Sequence, residues 1–269
     1  MNKAYRVMQD LQRGISCIFH DKAFIMTDVK SVWQSGLSQS SLGYFWQLFM
    51  PLIPMSAYVF LGFIRILPAP NGMPGTVFIV LGVMSWMVLS DALIGPTRML
   101  KKHASIYKRT EVSLIAVFAT HSAHKLIEYV IQWGAALIVL WFFIGVSLLS
   151  SISALIVLIP GYLLMLSLGI LVAIISTYKP DVSQFIEVTN RYLLFVSSVI
   201  FPLPSISSLE VWKAINPYVV FIDAYRNMWV YGDFTFSWPY ITWSVTAFSL
   251  LIMSILLAYK ANAVLKGNL

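Results

Sequence analysis

The sequence predicts an all-α integral membrane protein with six transmembrane helices in each protomer. Three observations lead to this class: 59% of the 269 residues are hydrophobic, only 11% are charged, and long apolar runs recur along the chain. Soluble domains carry about 25% charged residues, so a soluble protein of this composition could not cover its surface. The single cysteine, Cys17, excludes an intramolecular disulfide.

Six apolar stretches approach the roughly 20 residues that a membrane span requires. We predict spans at residues 44–66, 76–94, 126–149, 152–177, 191–207 and 240–259. The fifth is short and ends at Pro202 and Pro204, which interrupt the hydrogen-bond ladder of a helix. Residues 40–269 thus form the six-span membrane domain.

Residues 1–39 precede the first span and form a cytoplasmic amphipathic segment. Apolar residues recur there at three- and four-residue steps, with basic residues opposite, which predicts helices lying in the membrane interface. A solvated cytoplasmic helix pair would show the same pattern, and this alternative stays open.

The Lys and Arg residues orient the spans. With both ends of the chain in the cytoplasm, all 18 lie inside except Arg65, Lys213 and Arg226, as the positive-inside rule requires. This asymmetry explains the net charge of +7, and nucleic-acid binding keeps little support.

Two connections between spans have distinct compositions. The second and third spans are joined by a long basic inner segment, whereas the fifth and sixth are joined by an outer segment rich in aromatic rings. Rings at this density are typical of the membrane interface, where an apolar body meets a polar tip.

Motifs for chemistry are scarce. The chain has no G-x-x-x-x-G-K-[ST], no G-x-S-x-G and no H-E-x-x-H, so it does not bind ATP through a P-loop. His121, His124 and Glu128 share one helix face, which allows either a metal site or ordinary polar contacts at the membrane surface. Asp91 and Glu128 lie near inner span ends, where snorkelling to the interface is inexpensive, and no acid lies at mid-bilayer to serve a proton relay.

Four segments resemble the permease subunit of bacterial polysaccharide ABC exporters, of the type that carries O-antigen, capsule or teichoic-acid chains. They are "DVKSVWQSGLSQSSLGYFW", "VFIVLGVMSWMVLSDAL", "KPDVSQFIEVTNRYLLFVSSVIFPL" and "NPYVVFIDAYRNMWVYG", in the family's order. The matching residues are Asp28, Lys30, Ser40, Leu42, Gly43, Trp46, Gly82, Trp86, Asp181, Val182, Ser198, Val199, Ile200, Asn216, Pro217, Tyr225, Arg226 and Gly232.

The resemblance implies a channel-forming subunit in the bacterial inner membrane that pairs with a second copy of itself and with two copies of a separate ATPase. ATP and Mg²⁺ would bind the ATPase, so this chain would be neither an enzyme nor a cofactor carrier. The substrate would be a lipid-linked glycan, and membrane lipids would surround the complex.

The resemblance also assigns candidate residues to four roles. A coupling helix between spans two and three would contact the ATPase through Ile106, Tyr107, Lys108, Arg109, Thr110 and Glu111. A slippery aromatic lining for sugar rings would come from Tyr44, Phe45, Trp46, Phe49, Tyr58, Tyr192 and Phe195. Lys22, Lys30 and Arg191 could meet the phosphate of the lipid carrier, and simple attraction to anionic lipid is an equal alternative. A periplasmic gate would include Trp212, Tyr218, Phe221, Tyr225, Arg226 and Trp229.

Three other functions compete with polysaccharide export. A permease for a drug or small lipid would favour compact apolar pockets over a continuous aromatic path. A membrane acyltransferase or lipid-modifying enzyme would need clustered polar groups at one membrane face, and only the segment from His121 to Glu128 offers them. A structural scaffold would leave the aromatic outer segment without a role.

Overall fold

The computed structural model describes residues 3–38, 53, 56–57, 60, 73–204 and 206–268, and the regular structure in these ranges is helical. The elements in chain order are α1 (Lys3–His20), α2 (Lys22–Ser38), α3 (Gly75–Lys102), α4 (Ala104–Arg109), α5 (Leu114–Ile144), α6 (Leu148–Ser176), α7 (Pro180–Val196), α8 (Ser207–Ile215), α9 (Pro217–Tyr231) and α10 (Trp238–Asn268).

Four of these helices are long and apolar enough to cross a membrane. Their spanning portions are Gly75–Lys102, Leu114–Phe142, Leu148–Ser176 and Trp238–Asn262, which overlap the predicted second, third, fourth and sixth spans. The chain is therefore an all-helical protein with the features of a multi-pass membrane protein. Most of the predicted first span, including all five of its candidate lining aromatics, lies outside the described residues.

The third span begins earlier than predicted. Helix α5 starts at Leu114 rather than at residue 126, because the hydroxyl of Ser113 caps it by accepting from the backbone N–H of Ala116 at 3.2 Å. The polar side chains between Leu114 and Glu128 find partners inside the protein, so they do not end the helix.

The prediction that the fifth span is one continuous helix over residues 191–207 is wrong. Helix α7 begins at Pro180 and ends at Val196, and the following backbone is irregular. Ser198 has a positive φ of 57°, which an α-helix does not allow. Pro202 and Pro204 lack the N–H groups that would restart the ladder at once, and the chain becomes helical again only at Ser207.

Helix α6 is the centre of the bundle, with α3, α9 and α10 packed around it. The most apolar window of α3 is 72% buried, whereas those of α5 and α10 are only 17% buried. The outer faces of α5 and α10 therefore remain available to lipid or to a partner, while α3 is an internal helix.

Helices α1, α2 and α4 gather at one end of the bundle, which we call the α4 end. Helix α1 packs on α10 and α5, and α2 packs on α5. Gly14 lets α1 approach closely, because a Cβ there would lie 3.0 Å from Ile255 Cγ2. The other face of α1 exposes apolar side chains, namely Tyr5, Val7, Met8, Ile15 and Phe19.

Candidate functional site

The short helix α4 is fastened to the bundle through one tyrosine. Tyr107 is completely buried, and its hydroxyl donates to the backbone oxygen of Asn262 at 2.8 Å and lies 3.0 Å from Asn262 Oδ1. The same Oδ1 accepts from the backbone N–H of Leu114 at 2.8 Å. Burial raises the pKa of Tyr107 to about 12, so its hydroxyl remains a donor. Asn262 thereby joins α4, α5 and α10.

The predicted coupling segment coincides with this helix, although α4 begins two residues earlier, at Ala104. Ile106 is 41% exposed, and Lys108, Arg109, Thr110 and Glu111 are also exposed. The assignment of Tyr107 to the contact surface is wrong, because its ring points into the core and anchors the helix. The exposed side of α4 therefore carries one apolar side chain, Ile106, among charged and polar ones.

The turn between α1 and α2 is bound to the start of α5. Asp21 Oδ2 accepts from the backbone N–H of Ser113 at 2.9 Å, and Asp21 Oδ1 lies 2.9 Å from His20 Nδ1. Burial opposes ionisation of Asp21, but the hydrogen bonds from Ser113 and His20 outweigh it and lower the pKa of this carboxyl. The helix pair is thus docked by a buried charge rather than held by the membrane alone.

Asp28, one of the residues that carry the family resemblance, makes a second docking contact. Its Oδ2 lies 2.9 Å from His124 Nε2, 3.4 Å from His103 Nε2 and 4.0 Å from Lys102 Nζ. The His103 side chain is only 4% exposed and packs edge-on against Phe24. Burial lowers the pKa of His103. These contacts join α2 to the ends of α3 and α5.

The segment from His121 to Glu128 does not form one cluster. His124 contacts Asp28, Glu128 pairs with Lys125, and the ring of His121 packs over Gly95, where a Cβ would lie 1.9 Å from it. Within the described part of the chain, no three His, Cys, Asp or Glu side chains are grouped to hold a metal. His121 and His124 therefore make separate contacts with other helices, and Glu128 pairs within α5.

Asp91 and Glu128 share one cation, Lys125, which the positive-inside rule places on the inner side. Lys125 Nζ lies 2.9 Å from Asp91 Oδ2 and 2.7 Å from Glu128 Oε2, and all three side chains are at most about one-third exposed. Each acid thus has an ion-pair partner within the protein and does not depend on snorkelling alone. The cluster ties α3 to α5.

Helix α7 has a buried polar face and an exposed aromatic face. On the buried side, Asn190 donates to the hydroxyl of Ser90 on α3 and accepts from the hydroxyl of Tyr218 on α9. The other side exposes apolar side chains at helical spacing: Phe185, Val188, Tyr192 and Phe195. The two described lining candidates, Tyr192 and Phe195, are 69% and 55% exposed and lie on this face.

The three lipid-phosphate candidates are all exposed. Lys22 and Lys30 lie on α2, and Arg191 lies on α7, where its Nη2 is 3.3 Å from Glu187 Oε1. Glu187 also accepts from Arg98 on α3. Hydrogen bonding from Arg98 lowers the pKa of Glu187. The three candidates thus lie on two different helices.

Most of the predicted gate residues are buried in the core of the bundle and do not lie on its surface. Only Trp212 is exposed; Tyr218, Phe221, Tyr225, Arg226 and Trp229 are buried in α9. The cause is that α9 turns back into the bundle and packs on α6 and α3. Close approach of α9 to α6 depends on Gly161, where a Cβ would lie 2.7 Å from the Phe221 ring.

Arg226 is the polar centre of this packing, with a relative exposure of 1%. Its Nε donates to the Phe78 backbone oxygen at 3.1 Å, its Nη2 to the Val199 oxygen at 2.7 Å, and its Nη1 to Asp223 at 3.0 Å. The guanidinium also lies over the Phe78 ring, 3.7 Å from its centroid. The positive-inside rule placed Arg226 among the three basic residues on the outer side of the membrane. In the structure it is buried and joins α9 to α3 and to the irregular segment after α7.

A cavity of about 590 Å³ lies between α3, α5 and α6. Met84 and Val88 of α3 contribute to it, and α5 and α6 contribute most of the remaining wall. The described lining residues are apolar or uncharged, with polar groups supplied mainly by Ser122, Tyr129, Gln132 and Tyr162. No sequence pattern signalled this cavity, because it depends on how the helices diverge.

No protein-family model matches this chain, and no curated protein sequence matches it.

Proposed function

We propose that this chain is the channel-forming subunit of an ATP-driven exporter that moves lipid-linked polysaccharide, such as O-antigen or capsule, across the bacterial inner membrane. In this proposal two copies form the channel, both termini are cytoplasmic, and two copies of a separate ATPase bind ATP and Mg²⁺. The observation that carries the proposal is that helix α4 is anchored to the bundle through Tyr107 and exposes most of its other side chains on the protein surface.

The geometry of α4 would allow a movement of a bound partner to be transmitted to the helix bundle. Its exposed side offers Ile106, Lys108 and Arg109, a mixture typical of a polar and transient protein interface. Its buried Tyr107 is bonded to Asn262, which also binds the start of α5. A displacement of α4 would therefore be transmitted directly to α3, which precedes it in the chain, and through these hydrogen bonds to α5 and α10.

The aromatic face of α7 supports a glycan as the cargo. Sugar rings have apolar faces, and flat aromatic side chains contact them without binding any one sugar tightly. Tyr192 and Phe195 offer such surfaces, and the buried Asn190 fixes the orientation of the helix through Ser90 and Tyr218. A second copy would supply an equivalent face on the other side of a channel.

Deletion of the gene and fractionation of cellular glycan test the proposal directly. We expect intact polymer to accumulate inside the cell, and wild-type protein to restore export. Ile106→Asp should fail to restore export at normal membrane abundance, because it places a charge where the ATPase would pack. Gln12→Asp, on an exposed position of α1, is the matched control and should restore export.

Two outcomes would contradict the proposal. Loss of polymer synthesis in the deletion strain would indicate a membrane enzyme, and unchanged glycan export would leave the substrate unassigned. Full complementation by Ile106→Asp would remove α4 from the coupling role.

A permease for a drug or small lipid is the second candidate, and the cavity of about 590 Å³ favours it. Its size falls within the roughly 300–1,000 Å³ of small-molecule sites, and its lining is apolar with few polar groups. This candidate predicts that deletion leaves glycan unchanged but alters the efflux of an apolar compound.

A further inference from the structure

We propose that the cavity between α3, α5 and α6 holds the acyl chain of a membrane phospholipid. The inference does not depend on the exporter proposal, because it concerns a site that any bilayer would fill. It rests on the position of the opening, on the chemistry of the lining and on the dimensions of the cavity.

The opening of the cavity lies between two helices that can each cross a membrane. Helices α5 and α6 both pack on α3 but contact each other far less, so the gap between them faces outward. Exposed apolar side chains border this gap, among them Leu126 and Val130 on α5 and Ile152 and Ile156 on α6. In a bilayer, such a gap opens onto hydrocarbon.

The lining excludes charged and strongly polar occupants. Its described residues include no Asp, Glu, Lys, Arg or His. In the neighbouring ionic cluster, Lys125 is already paired with both Asp91 and Glu128 and is not free to bind an anionic ligand. A glycan would lose its hydration here without gaining equivalent hydrogen bonds, whereas a hydrocarbon chain loses nothing.

The length of the cavity matches an acyl chain. The lining runs from Ser122 to Trp133 on α5 and from Ile152 to Tyr162 on α6, which is about 15 Å at 1.5 Å per residue. That length equals about half of the roughly 30 Å hydrocarbon core, the depth of one leaflet. An occupant that lies along the two helices therefore has the length of the acyl chains of a single leaflet.

The test uses the purified full chain in nanodiscs of phosphatidylethanolamine and phosphatidylglycerol. A phosphatidylcholine with a photoactivatable diazirine near the end of one acyl chain is the probe, and labelled peptides are mapped by mass spectrometry. We expect label to concentrate on residues 122–133 and 152–162 relative to the exposed outer face of α10, which carries Val245 and Phe248.

Two variants reduce the site in different ways. Ala123→Phe fills the cavity from inside, and Ile156→Trp blocks its opening from a position that is already exposed and therefore tolerant. Each should lower the cavity label about tenfold by displacing a few methylene groups. The matched controls are Ile138→Phe on the exposed face of α5 and Val245→Trp on α10, which should label as the wild type does.

Two results would overturn the inference. The first is cavity label no stronger than that on α10, and the second is wild-type labelling in both Ala123→Phe and Ile156→Trp. Export measurements play no part in this readout, so failure of the exporter proposal would leave it unaffected.

Discussion

The hydroxyl of Tyr107 donates a 2.8 Å hydrogen bond to the backbone oxygen of Asn262, a residue 155 positions further along the chain. Through this contact the short helix α4 is joined to the far end of α10. Because Asn262 also accepts from the N–H of Leu114, one amide side chain aligns the three elements that meet at the α4 end.

Removing this hydroxyl should loosen the α4 end without creating a cavity. Tyr107→Phe keeps the ring but removes the donor, and we expect a loss of about 1–3 kcal/mol, the usual cost of an unsatisfied buried group. The midpoint of thermal unfolding in detergent measures it. Tyr178→Phe is the control, because Tyr178 is exposed and its hydroxyl meets water.

A second substitution checks whether the side chain of Asn262 is also a partner. Asn262→Ala made on top of Tyr107→Phe should cost less than Asn262→Ala alone, because the 3.0 Å contact between the Tyr107 hydroxyl and Asn262 Oδ1 can be lost only once. Fully additive losses would show that Tyr107 bonds only the backbone oxygen of Asn262, which the alanine variant keeps.

Two glycines in membrane-spanning helices should respond to alanine in opposite directions. At Gly82 a Cβ would lie 2.0 Å from Arg226 Nη2 and 2.4 Å from the Val199 backbone oxygen, whereas nothing lies within 4 Å of a Cβ at Gly134. We expect Gly82→Ala to cost about 1–3 kcal/mol through overpacking. Gly134→Ala should instead stabilise by about 0.5–1 kcal/mol, since alanine restricts the unfolded backbone.

Unfolding midpoints of these two variants, measured side by side, check the packing of α9 against α3. Equal midpoints would mean that Arg226 and the segment after α7 are not held against Gly82 as described. The same comparison separates a packing effect from a general intolerance of alanine in membrane-spanning helices.

The location of the apolar helices could be predicted from the sequence because lipid exposure requires long apolar runs. Four predicted spans overlap helices capable of crossing a membrane. The start of α5 could not be predicted from hydropathy, because Lys125 is polar along the sequence but is neutralised by Asp91 and Glu128 in the fold. A charge is costly in a span mainly when it lacks a partner. One partner of Lys125, Asp91, lies on another helix and therefore cannot be recognised from the local sequence.

The burial of the aromatic segment between the fifth and sixth predicted spans could not be predicted for a related reason. Trp229 and Tyr225 are as suitable for a core as for a membrane interface, and composition does not distinguish the two. The deciding feature is Arg226, whose four hydrogen-bond partners include backbone oxygens on α3 and after α7. Such partners are invisible in a sequence, and the prolines at 202 and 204 predicted an end of the fifth span later than Val196, where α7 ends.

The Lys125 cluster should be more sensitive than a pair whose acid is exposed. Lys125→Met would leave Asp91 and Glu128 facing each other without a cation, and because the cluster is partly exposed we expect a loss of about 1.5–3 kcal/mol, the range for hydrogen bonds to charged groups. Lys213→Met removes the partner of the exposed Glu210 and should cost only about 0.2–1 kcal/mol. Thermal unfolding of both variants gives the comparison.

Neutralising the two acids should rescue the first variant. Asp91→Asn and Glu128→Gln, added to Lys125→Met, remove the uncompensated charges and should restore part of the lost stability. If the triple variant is as unstable as Lys125→Met alone, the loss arises from packing around the lysine and not from charge.

The buried His103 predicts that the protein loses stability in mild acid. Burial lowers the pKa of His103 below its ordinary value of 6.5, with Asp28 acting against this shift and Lys102 and His124 acting with it. The unfolded chain therefore takes up a proton more readily than the folded chain. Stability from this residue is fully present above about pH 6.5 and is lost as the pH falls from there toward the folded pKa.

We expect the thermal unfolding midpoint of the wild type to decrease as the pH is lowered from about 7.5 to about 5.5. His103→Phe should make this decrease smaller, because the phenylalanine ring cannot be protonated. Tyr178→Phe is the control, since Tyr178 is exposed, and it should keep the wild-type decline. An unchanged decline in His103→Phe would assign the acid sensitivity to another group. Because His103 lies beside Asp28, flattening by this substitution would identify the junction of α2 with α3 and α5 as the part of the fold that acid weakens first.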